Sequence, residues 1–107
     1  MKPPKTVWIL GLPVTLVVMD RLVAPDGEQV RGLYDSTHRT ISVEKDQADM
    51  ALTFWHESLH AGFDCLCSQA NPAMNSETAC DVQAATRESI ERDPRNKRLM
   101  AWLKEIA

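Results

Sequence analysis

The sequence predicts an α+β fold, in which a small N-terminal antiparallel or mixed β-sheet packs against a central helix and two further C-terminal helices. Two observations carry this. Residues 6–43 hold short runs of β-branched and apolar residues broken by Gly, Pro and Asp, whereas residues 45–106 hold apolar residues at helical spacing. Strands followed by helices, without alternation of the two, make an α+β layer packing.

Thr6–Leu10 and Val14–Met19 are rich in β-branched residues and are separated by Gly11, Leu12 and Pro13, which predicts two short strands or one bent strand. Pro25, Asp26 and Gly27 mark a turn within an irregular connection. Val30–Tyr34 then reads as a strand, Asp35–His38 as a turn and the alternating stretch Arg39–Val43 as its hairpin partner. A first helix is predicted from about Lys45 or Asp46 to Leu66, with Asp49, Thr53, His56, Glu57, His60 and Asp64 along its polar side and Met50, Phe54, Leu59, Phe63 and Leu66 buried opposite. Asn71, Pro72, Asn75 and Ser76 carry turn and cap chemistry, so a second helix is predicted from about Glu77 to Glu91. Asp93-Pro94 opens a third helix ending near Ile106, whose stripe Leu99, Trp102, Leu103 and Ile106 is core or partner contact.

At 107 residues and 44% apolar content, the chain is expected to form one domain with a modest core and a shallow cleft. A formal net charge of −3 with mixed signs gives no footprint for nucleic acid; the local run Arg92, Arg95, Lys97 and Arg98 reads as a solvated helix face. The apolar stretch Val7–Met19 is interrupted by Gly11 and Pro13 and is too short to span a bilayer, so no membrane partner and a cytoplasmic location are expected.

The chemistry concentrates at His56-Glu57-Ser58-Leu59-His60, an H-E-x-x-H motif inside the first helix. Residues four apart share a helix face with Cβ atoms about 5–6 Å apart, so both imidazoles reach one metal ion with Glu57 beside them. Catalytic zinc generally takes three protein ligands. On the second helix Glu77 and Asp81 are again four apart, which suits Glu77 as the third ligand and Asp81 as hydrogen-bond acceptor for a ligating histidine. Asp64, one turn beyond His60, and Asp81 itself are alternative oxygen ligands. Cys65, Cys67 and Cys80 raise a rival, a closed structural zinc site. A Cys-x-Cys spacing does not suit such a site, and it leaves the glutamate between the histidines without a purpose. The odd cysteine count also argues against a disulfide framework.

H-E-x-x-H at 56–60 followed by E-x-x-x-D at 77–81 resembles the gluzincin metallopeptidases. The chain is most similar to their compact forms related to the ImmA/IrrE family and to short metallopeptidase-like proteins of phages and prophages, over roughly Gly32–Ala85. The resemblance implies a zincin-like domain, one zinc ion, and hydrolysis of a peptide bond in a protein or peptide substrate such as a regulatory repressor, with Glu57 as general base. It also implies that the strand before the active helix, Arg39–Val43, lines the cleft and takes substrate as an added strand. The chain departs from larger gluzincins in having no substantial C-terminal domain and no tyrosine or histidine after His60 to stabilise a transition state; Tyr34 and His38 are the candidates left, with sheet and turn roles as their ordinary reading. From a different class, a zinc-binding protein-interaction domain without turnover fits the same motif.

Overall fold

The computed structural model describes residues 1–66 and 76–107, and the side chains of all of these except 76–78. Its element order is β1 (Thr6–Ile9), β2 (Leu12–Met19), β3 (Gly32–Asp35), β4 (Thr40–Glu44), α1 (Met50–Leu66), α2 (Ser76–Arg92), a short 3-10 turn (Pro94–Asn96) and α3 (Lys97–Ile106). This is the α+β arrangement expected, with a sheet that is mixed.

Thr6–Met19 forms two strands, because Leu10 and Gly11 both take positive φ, 52° and 78°, and turn the chain through a tight hairpin. β1 and β2 are antiparallel, β2 and β4 are parallel, and β3 and β4 are antiparallel, giving the spatial order β1-β2-β4-β3. Pro13 is tolerated in β2 because it lies before Thr15↔Thr40, where the ladder with β4 begins, so its missing N–H leaves no bond unmade. The β3–β4 hairpin turns through Asp35, whose Oδ1 accepts the Thr37 N–H at 3.0 Å, and Arg39, at φ 48°.

One sheet face carries Val7, Ile9, Val14, Leu16, Ile41 and Val43, each nearly or fully buried, against Phe54 and Ala61 of α1, Ile90 of α2 and Leu99, Trp102 and Leu103 of α3. The predicted stripe of α3 is therefore core, with Ile106 packed at its margin.

α1 begins at Met50, later than Lys45 or Asp46. Asp46 takes a left-handed φ of 61°, and the Gln47 amide donates to the carbonyls of Arg31 and Glu44 at 3.0 and 2.7 Å, holding that segment as a turn. Its buried face also differs from the predicted one. Phe54, Glu57, Ser58, Ala61 and Gly62 are buried, whereas Leu66 is half exposed and Met50, Leu59 and Phe63 are intermediate. Small residues at 58, 61 and 62 let neighbouring elements approach closely, and this outweighs the area that larger side chains would have buried.

The two sheet edges differ. On β1 the Trp8 N–H donates to Asn96 Oδ1 at 2.8 Å, Asn96 Nδ2 donates to the Trp8 carbonyl, and the Leu10 N–H donates to Ser89 Oγ at 3.0 Å. Asn96, itself 1% exposed, also donates to the Ile90 carbonyl at 3.0 Å. Its amide thus stands in for a fifth strand at this edge, and the Arg95 guanidinium, 3.8 Å from the Trp8 ring centroid, covers it from outside. We expect Asn96→Ala to destabilise the fold by about 2–3 kcal/mol, since it strands a backbone N–H and two carbonyls at once; urea unfolding of the two proteins measures this.

Among the described residues β3 has no such cover. Because the Glu44 N–H donates to the Arg31 carbonyl at 2.8 Å, Arg31, Leu33 and Asp35 turn their backbone groups toward β4. In an antiparallel ladder the alternate residues point the other way, so Gly32 and Tyr34 direct N–H and C=O outward.

Candidate metal centre

His56 and His60 stand one turn apart on α1, with ring centroids 5.0 Å apart and planes at 77°. A nitrogen of each ring and a carboxylate oxygen of Glu57 lie within 4.8 Å of one another, the histidines exposed and Glu57 buried. Two imidazoles and one carboxylate are a donor set suited to a first-row divalent cation, and exposed rings with a buried carboxylate leave room for further ligands. His56, Glu57 and His60 could therefore hold a metal ion.

Glu57 is 7% exposed because α1 turns it inward, toward β3. Burial pushes its carboxyl above the ordinary glutamate range, and the His60 and His56 rings oppose that shift. The close approach depends on Gly32. A Cβ there would fall 2.5 Å from Thr53 Cγ2, 2.9 Å from Glu57 Cγ and 3.1 Å from Glu57 Oε2. Only a residue without a side chain lets the β3 backbone pass this near the carboxylate. The sequence reading did not give Gly32 this role, although a glycine inside a strand pattern is a signal of close backbone approach.

Between β3 and α1 lies an open cavity of about 440 Å³, lined by Arg31, Gly32, Leu52, Thr53, His56 and Glu57 among others. The strand at this cleft is β3, not Arg39–Val43 as the resemblance implied. β4 occupies that segment and is paired on both sides, so it has no edge to offer.

The remaining candidates lie as follows. Glu77 belongs to α2 by its backbone, and its side chain, the expected third ligand, falls outside those described. Asp81 is exposed on α2 and is not among the converging ligand atoms. Asp64 accepts a hydrogen bond from the Tyr34 hydroxyl at 2.8 Å. Burial, and after it that bond, raise the Tyr34 pKa, and the bond leaves its hydroxyl serving Asp64. His38 pairs with Asp35 at 2.7 Å in the exposed β3–β4 turn. Cys65 and Cys80 are free thiols and neither joins the cluster; Cys67 lies outside the described residues.

Comparison with protein-family models, with curated proteins and with solved structures finds no match to this chain. The fold and site define an α+β protein with a His-Glu-His group able to bind a metal ion. Among the described residues no helix is long and apolar enough to cross a membrane.

Proposed function

We propose that the chain is a minimal zinc-dependent peptidase of gluzincin type, cutting an extended segment of a protein or peptide. The observation that carries this reading is the convergence of His56, Glu57 and His60 ligand atoms within 4.8 Å beside a strand edge left unpaired among the described residues. His56 and His60 would hold the cation, with Glu77 as the third protein ligand. When bound, zinc supplies Lewis acidity to a carbonyl oxygen and lowers the pKa of a water toward about 7. Glu57 would serve as general base, taking a proton from the attacking water and returning it to the leaving amine. The outward N–H and C=O groups of Gly32 and Tyr34 hold the substrate backbone as an added strand, so the reacting bond crosses the cluster in a fixed register.

A second reading, a metal-binding interaction domain without turnover, draws support from Tyr34. With its hydroxyl donated to Asp64, Tyr34 is not poised to stabilise an oxyanion.

Elemental mass spectrometry of the purified protein tests the centre. We expect about one zinc per chain, lost in His60→Ala and weakened in Glu77→Ala. Glu57→Gln separates the two readings, because it should keep the metal while abolishing cleavage of a generic unfolded substrate such as casein. No metal after zinc reconstitution would defeat both.

A further inference from the structure

His56 lines two cavities. Besides the one against β3, a second of about 330 Å³ lies between α1 and α2, walled by Leu52, Trp55 and Leu59 on one side and by Gln83 and Arg87 on the other. Leu52 and His56 are common to both, so the metal-binding group stands where the two meet. Leu52 is 68% exposed, which makes it a large apolar side chain open to solvent at this junction. On the polar wall the Arg87 guanidinium carbon lies 4.5 Å from the Trp55 ring centroid and its Nε donates to Glu91 at 2.7 Å.

We infer that this second cavity is the pocket for the substrate side chain beside the reacting bond, and that it selects a large apolar residue and rejects a basic one. The inference rests on the metal-site reading above and adds to it a substrate class. Side chains of an extended strand alternate in direction, so a chain lying along β3 and crossing His56 turns one of the residues flanking its reacting bond toward α2. There it meets Leu52, Leu59 and the Trp55 ring, surfaces whose burial favours Leu, Met or Phe. Arg87 already occupies the cation position on the Trp55 face, so a lysine or arginine would bring like charge into the same space. Discrimination of about tenfold or more is the expected scale for such a pocket.

The test uses N-acetylated hydroxamates of leucine, phenylalanine, glutamate and lysine, in which the metal-chelating group is constant and only the side chain varies. Binding to the zinc-loaded full chain is read by calorimetry, with zinc content measured on the same sample. Leucine and phenylalanine hydroxamates should bind at least about tenfold tighter than the lysine compound. Arg87→Glu, a change at a largely exposed side chain, should remove or reverse the lysine penalty with zinc content unchanged, and Trp55→Ala should weaken the phenylalanine compound most. Equal affinity for all four, a preference for glutamate, or no binding to zinc-loaded protein overturns the pocket and leaves the metal centre standing. Failure to take up zinc overturns the centre and the pocket together.

Discussion

Replacing Gly62 by alanine should lower the melting temperature by on the order of 10 °C, although alanine is the better helix former. In an exposed helix the exchange would stabilise by about 1 kcal/mol. Here a Cβ at position 62 would fall 2.7 Å from Thr86 Cγ2 and 2.9 Å from Thr86 Cβ, and closer still to Thr86 Oγ1. Thr86 is fully buried and its Cβ is fixed to the α2 backbone, so the two helices must move apart. Overpacking of that kind costs about 1–3 kcal/mol or more and outweighs the propensity gain. Thr86→Ala removes Oγ1 and Cγ2 but keeps the Cβ at 2.9 Å, so it should rescue Gly62→Ala in part, and a non-additive double-mutant cycle would locate the strain at this contact. Thr86 Oγ1 has no hydrogen-bond partner among the described residues, so removing the hydroxyl carries little penalty of its own. If Gly62→Ala melts at or above the wild-type temperature, the helices are not held this close.

The second large effect belongs to Gly32→Ala. The added methyl meets Thr53 and Glu57 together, so either β3 retreats from α1 or the Glu57 carboxylate swings away from the histidines. Under the proposed function both outcomes would disturb proton transfer more than metal binding, because His56 and His60 keep their spacing on one helix. A misplacement of about 1 Å can reduce turnover by about 100-fold. We therefore expect zinc content close to wild type in Gly32→Ala, with any hydrolytic activity reduced by about that factor. Pairing it with Thr53→Ser removes Cγ2, the nearest atom, and should return part of the lost stability. Zinc content falling as far as in His60→Ala would show that β3 instead holds the ligands themselves.

The motif and the element order were legible in the sequence, and the orientation of the elements was not. H-E-x-x-H fixes its own local geometry, since helical spacing alone brings His56 and His60 to one face. The strands were readable from their β-branched runs, and the α3 stripe from its spacing. Parallel pairing of β2 with β4 was not, because it depends on β3 passing to the outside, and nothing local in Arg39–Val43 distinguishes a central strand from an edge. The buried face of α1 was misread for a related reason. Hydrophobicity points to Leu59 and Leu66, but close packing against β3 and α2 is achieved through Gly32, Ser58, Ala61 and Gly62, whose contribution is the absence of bulk. Glu57 is drawn inward by that packing.

The Asn96 clasp on Trp8 joins residues 88 positions apart. During synthesis β1 leaves the ribosome before the group that closes its edge has been translated, 88 residues later. At about 5–20 residues per second, that edge stays bare for several seconds in a nascent chain. The finished molecule resists strand addition at β1, while its unfinished form is open to it. Slowing of translation just ahead of Asn96, or truncation before it, should therefore shift the yield from folded protein toward aggregate without altering the sequence of α1.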